Sequence, residues 1–340
     1  MTETVRSRFQ KVMKGEMPED RLPVLEWAVW WDKTIERWLA EGLPGGLDTH
    51  GIKRFFGLDV DYQHWFLQIL PGAPGGPVRH GQGWIRSEED YERLLPYLYP
   101  DPVPFDRETA RRWAAEQARG EVVVWFTLSG FFWWPRVLFG IEEHLYAFYD
   151  HPELMLRINE DQARYIRQCI EQFCEVCTPD FATFAEDMSY NHGPMISREL
   201  FETFMLPFYR QTVPLLKERG IIPLIDSDGD VEPLIPWMEE AGLEGTHPLE
   251  RMAGVDVGRI RERHPEWKML GGFDKTVMHL GEQAMRAEFE RLLPVMKSGR
   301  YIPSVDHQTP PGVSLEDYRL YVRLLKEYCA RAVQPRAGET

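Results

Sequence analysis

The stretch GIIPLIDSDGDVEPLIP, residues 220–236, sets three carboxylates at alternate positions: Asp226, Asp228 and Asp230. Three uses of such a pattern are a calcium loop, a transition-metal site and a solvated turn. The calcium loop fails on spacing. Its sixth position needs glycine for a sharp turn and its twelfth a bidentate acid, but Val231 and Trp237 stand there. The motif follows an apolar run that reads as a strand. In a strand, side chains two residues apart share a face, so Asp226 and Asp228 are expected to converge.

Polar residues recur where other apolar runs stop. Glu26 lies within RLPVLEWAVWW (21–31), and Thr127 and Ser129 close EVVVWFTLSG (121–130). Glu186 and Asp187 follow DFATFAEDM (180–188), and His247 and Glu250 follow GLEGTHPLE (242–250). Asp274 and Lys275 come after EWKMLGGFD (266–274), and Asp306 and His307 end GRYIPSVDH (299–307). Between the runs lie segments with a 3.6-residue apolar period, clearest in HPELMLRINEDQARYIRQCIEQF, SRELFETFMLPFYRQTVPLLKERG and SLEDYRLYVRLLKEYCARA. Continuous apolar strands alternating with amphipathic helices predict a parallel sheet covered by helices. Seven strands are legible, and an eighth is expected in 57–86, which holds VDYQHWFLQIL. The expected fold is therefore a single-domain (βα)8 barrel over residues 1–340, with an irregular extension around 32–118. Strand ends of such a barrel face one mouth, and chemistry is done there. No G-x-G-x-x-G follows a strand, which removes a nucleotide-binding doubly wound sheet.

Composition narrows the function. A net charge of −15 without a Lys/Arg-rich run excludes nucleic acid as a partner. Residues 122–141 (VVVWFTLSGFFWWPRVLFGI) are long and apolar enough to suggest a membrane span, but Gly130, Pro135 and Arg136 interrupt them; a buried strand entering an aromatic loop is expected instead. The four cysteines lack disulfide-framework spacing and the N-terminus lacks an apolar leader core, which together point to the cytoplasm. Cys174 and Cys177 form a C-x-x-C late in a helix and are read as packing. Aromatic residues crowd the strand ends, among them Trp27, Trp30, Trp31, Phe131, Trp133 and Trp134. They are expected either to pack loops on the barrel or to form a wall for a flat apolar ligand such as a tetrapyrrole or a methoxylated aromatic.

Three segments carry a resemblance: LIDSDGDVEPLIPWMEEAGLEGTHPLERMAGVDVGRIRERHPEWKMLGGFDKTVM, EDMSYNHGPMISRELFETFMLPFYRQTV and YIPSVDHQTPPGVSLEDYRLYVRLL. The chain resembles the uroporphyrinogen decarboxylase superfamily, which includes cobalamin-dependent methyltransferases and shares the (βα)8 barrel. The decarboxylase branch grips its substrate through an arginine-rich R-Q-A-G-R motif; the matching strand here, VLEWAVWWDKT, has no arginine. The methyltransferase branch binds zinc through H-x-C and a later cysteine, and the corresponding positions here are Asp226, Asp228 and His307. None is a thiol, so the implied site is harder, suited to zinc or another divalent ion acting on an oxygen.

The resemblance implies metal-assisted methyl transfer from a small aromatic or methoxylated donor to a corrinoid on a partner protein. Catalysis and metal binding are expected at Asp226, Asp228 and His307. Substrate contacts are expected at Glu26, Trp30, Thr127, Phe131, Trp133, Glu186, Asp187, Tyr190 and His247. Two alternatives stay open. One is a cofactor-independent decarboxylase acting on a porphyrinogen or smaller polycarboxylate, with the same residues in acid–base roles. The other is a non-catalytic barrel that binds a tetrapyrrole or corrinoid. A homodimer is compatible with each.

Overall fold

A computed structural model of the protein describes residues 3–334. Its strands are β1 (Val60–Trp65), β2 (Val122–Ser129), β3 (Phe181–Ala185), the short β4 (Ser189–Tyr190) and β5 (Gly193–Pro194), β6 (Ile222–Asp226), β7 (Gly245–His247), β8 (Lys268–Phe273) and β9 (Tyr301–Val305). Seven of them form one parallel sheet in the order β1-β2-β3-β6-β7-β8-β9, while β4 and β5 pair as a small antiparallel hairpin. The sheet is curled and covered by helices, an arrangement compatible with a TIM-type barrel. Its strands are buried because their residues, such as Val122–Leu128, are apolar on both faces, as a parallel sheet between helices requires.

The expected strand over 21–31 does not form; Leu25 alone makes a parallel bridge, to Asp59. Pro23 has no backbone donor, and side chains take over on the far edge. Glu26 accepts from the Ser304 hydroxyl and, at 3.2 Å, from the Val305 amide. Trp27 donates to the Val305 carbonyl at 2.9 Å. The segment thus lies between β1 and β9, bridged to the first by backbone and tied to the second by side chains.

Two further expectations change. The 32–118 region holds helices Asp32–Ala40, Thr49–Phe56, Glu88–Leu94 and Arg107–Ala118 around β1; the Pro/Gly-rich 66–86 stretch is its longest irregular part. The periodic stretch beginning at Ser197 is two helices, Arg198–Phe204 and Leu206–Lys217, which part at Met205 (φ −124°) because Pro207 has no N–H to continue the hydrogen-bond ladder and so can only begin a new helix. Residues 122–141 form β2 and the short helix Trp133–Phe139. Among the described residues no helix is long and apolar enough to cross a membrane.

Candidate metal and substrate site at the sheet's carboxyl edge

The β6 strand pairs with β7 as far as Asp226 opposite His247, and the Ser227 amide still reaches the His247 carbonyl at 3.1 Å. Beyond that the chain turns, and the period-two rule lapses. Gly229 adopts a left-handed conformation (φ 82°), and a Cβ there would meet the Ser189–Tyr190 backbone at 2.8 Å. The turn is held by three amides. Asp228 N–H donates to Asp187 Oδ1 (3.4 Å), Gly229 N–H to a Glu250 carboxylate oxygen (2.9 Å) and Asp230 N–H to the Tyr190 carbonyl (2.9 Å).

As a result Asp226 and Asp228 face different histidines. Asp226 Oδ2 lies 3.9 Å from His247 Nε2, and Asp228 Oδ1 lies 3.6 Å from His307 Nε2. Ligand atoms of Asp228, Glu250 and His307 all fall within 4.8 Å of one another. These residues come from the ends of β6, β7 and β9. Asp226, expected as a ligand, stands outside the trio, and Glu250 takes its place. Glu250 was visible only as one more polar residue near a strand end; no motif marks it.

The charges do not balance. Burial, then the carboxylates of Asp187 and Glu250, push Asp228 up to about 7 against the pull of Lys275 and Arg136. Asp226 is held well above the carboxylate range by burial and by Asp187 and Asp228. Burial likewise raises Asp187 and lowers His307. Two carboxylates about 4–5 Å apart repel by about 3–4 kcal/mol at the screening typical of a protein surface. That is enough to demand protons or a cation. Tetrahedral coordination with ligand bonds near 2.0–2.2 Å would need the trio's donor atoms to draw in by about 1 Å. Two carboxylates and an imidazole are a donor set that a divalent ion accepts. The residues therefore fit such an ion.

His247 is wholly buried, with neither ring nitrogen hydrogen-bonded. Burial first, and then His307, depress it to about 3. Trp27 packs edge-on against both His247 and His307, at 4.6 and 6.0 Å between ring centroids. Asp187 is one of few non-glycine residues with a left-handed backbone (φ 42°), a cost that tends to persist where a site requires it.

The remaining candidates divide. Glu186 is buried and spent on structure. It accepts from the amides of Phe131 (2.8 Å), Phe132 (2.7 Å) and Trp133 (3.0 Å) and from the Tyr209 hydroxyl. Any side chain at Gly130 would collide with that carboxylate. Phe131 packs against Phe184, Phe208 and Tyr209 in the core. Glu26 is buried on its clamp, and Trp30 is buried among Trp38, Phe56 and Tyr318. Thr127 is buried, bonded to Gln63 and Thr183. Tyr190, on the hairpin, is 49% exposed. Trp133 is half-buried, with the Arg136 guanidinium stacked over its ring at 5.0 Å. The four cysteines are free thiols, none of them in the trio.

Two comparisons with solved structures bear on the fold. A methyltransferase from Methanosarcina mazei superposes with a TM-score of 0.64 at 13% identity, over 96% of this chain and 99% of that one. A putative vitamin-B12 independent methionine synthase from Listeria monocytogenes superposes more loosely, with a TM-score of 0.44 at 14% identity, over 94% of this chain and 99% of that one. At such identities the first likeness establishes the fold alone, and the second carries no argument. No curated protein matches the chain by sequence. The uroporphyrinogen decarboxylase (URO-D) family model matches residues 82–328, most of the sheet and the whole candidate site, and the chain belongs to that family.

Proposed function

We propose that the protein is a metal-assisted methyltransferase or demethylase that takes a methyl group from a small aromatic or methoxylated donor. In this reading the acceptor is a corrinoid carried by a partner protein. The observation that carries the proposal is the convergence of Asp228, Glu250 and His307 in a mouth with surplus negative charge and no thiol. These three residues would hold a divalent ion. Bound there, such an ion supplies Lewis-acid polarisation of the donor's ether oxygen. The Gly229 N–H donates to the Glu250 carboxylate and fixes it, and the Asp228 N–H, donating to Asp187 Oδ1, ties down the backbone that carries Asp228. Asp226, whose carboxyl is held well above the usual carboxylate range by burial and by its acidic neighbours, would supply the proton that the departing oxygen needs once its methyl group leaves. Trp27 braces both histidines from one side. The Methanosarcina mazei protein that shares this fold is itself a methyltransferase.

The family's name favours a second reading, metal-independent decarboxylation, in which Asp226 would protonate an electron-rich ring carbon. The carboxylates that crowd the mouth repel a polycarboxylate substrate, so this reading ranks below the first. One assay separates them. Full-length protein is mixed with methoxybenzenes, reduced free cobalamin as acceptor and a divalent metal, and methyl-cobalamin formation is followed by absorbance. Methyl transfer predicts formation that stops with chelator and in Asp228→Ala and Glu250→Ala. Carbon dioxide release from a carboxylated substrate that survives chelation would replace this reading with the second.

A further inference from the structure

We infer that Arg136 recognises a single carboxylate on the donor, so that the substrate class is a methoxylated aromatic monocarboxylate. This deepens the proposed function and rests on its placement of the donor at this mouth. Arg136 belongs to the helix Trp133–Phe139, which starts directly after β2. It is half-buried, lies over the Trp133 ring at 5.0 Å, and donates one hydrogen bond, to the Asp187 carbonyl at 3.2 Å. Among the described residues no carboxylate forms an ion pair with it, although its charge reaches Asp187 and Asp228, which in turn crowd against Asp226 and Glu250.

A guanidinium positioned over an indole and by one hydrogen bond presents a fork that matches a carboxylate bidentately. The other cation beside the cluster, Lys275, is committed to Asp306 at 3.1 Å. One uncommitted guanidinium amid several carboxylates admits one anionic group and opposes a second. Contacts run continuously from Arg136 through Asp187 to Asp228 and then His307. A planar molecule with its carboxylate on Arg136 would thus direct its opposite, neutral end toward the trio. An ether oxygen at that end suits the trio, whereas a second carboxylate there would meet Asp228 and Glu250.

The test compares 4-methoxybenzoate with 4-methoxybenzamide and methoxybenzene, titrated into the full-length protein and followed by calorimetry and tryptophan fluorescence. The acid is expected to bind about tenfold or more tighter than the amide. Arg136→Gln should bring that ratio to within about twofold, and Arg136→Lys, which keeps the charge but not the fork, should fall between. Should Arg136→Gln fail to fold, the wild-type ratio and Arg136→Lys still decide. An acid bound no tighter than the amide, a preference that persists in both variants, or no binding by any of the probes would each overturn the inference. A wild type that shows no acid preference but takes up metal refutes this inference alone. Acid preference without metal uptake refutes the proposed reaction alone.

Discussion

Two groups of carboxylates occupy the same edge of the sheet, and each contains an acid whose pKa burial raises. Glu186 is pushed up to about 7, as are Glu26 and Asp228. Their surroundings differ completely. Glu186 receives three backbone amides and a tyrosine hydroxyl, and Glu26 receives Ser304, the Val305 amide and Tyr318. Asp228 and Glu250 instead face each other and His307, and their carboxylates take few donors. The first pair is satisfied and holds the chain together. The second is unsatisfied and has capacity left for a ligand. A raised pKa alone therefore does not mark a site here; unspent lone pairs do.

The comparison breaks most visibly at Glu186. Glu186→Ala should cost about 3–5 kcal/mol in urea denaturation, because it strands buried amides of the 131–133 turn. Glu186→Gln, which still accepts, should cost clearly less. A loss under about 1 kcal/mol for the alanine would mean that the turn stands without its clamp. Glu26→Ala should cost about 2–3 kcal/mol by the same measurement, since fewer amides depend on it and the segment is also tied through Trp27.

Asp228→Asn sharpens the contrast through pH. The folded carboxyl is raised from 3.8 to about 7, so the folded state binds the extra proton between those values. Stability contributed by wild-type Asp228 is therefore present at low pH and lost as pH rises through that window. The asparagine cannot lose it, so the metal-free variant should gain on wild type by about 1–2 kcal/mol between pH 4 and pH 7, a figure discounted because the side chain is 42% exposed. A pH-independent difference in paired denaturation curves would contradict the crowding argument. The smallest effect is expected at Tyr190, exposed on its hairpin, where Tyr190→Phe should shift stability by less than about 0.5 kcal/mol in the same denaturation assay.

How much was legible follows the same division. The strands announce themselves as apolar runs, and β2, β3, β6, β7, β8 and β9 fall inside the segments read as strands, with β1 where the eighth was sought. Residues 21–31 mislead because Glu26 and Trp27 make with side chains the bonds that a strand makes with backbone. Asp228 and His307 stand out in the sequence because each lies two residues past a strand, at a position that the family resemblance marks. Glu250 was not, since its approach depends on the turn after β7 and on the Gly229 amide, which no spacing rule encodes. Asp226 and Asp228 diverge because the strand ends between them, and alternation holds only while the strand continues. Glu186 looked like a pocket residue and is a clamp; its partners are amides of a distant segment, invisible in one dimension.

The central claim is that Asp228, Glu250 and His307, rather than Asp226, form the ion site. Metal content measured by mass spectrometry, on protein purified without added metal or chelator and after zinc loading, tests it directly. The account predicts near-stoichiometric metal in wild type and in Asp226→Ala, and its loss in Glu250→Ala and His307→Ala. Wild type that stays empty after loading, or Glu250→Ala that keeps its metal while Asp226→Ala loses it, would contradict the account.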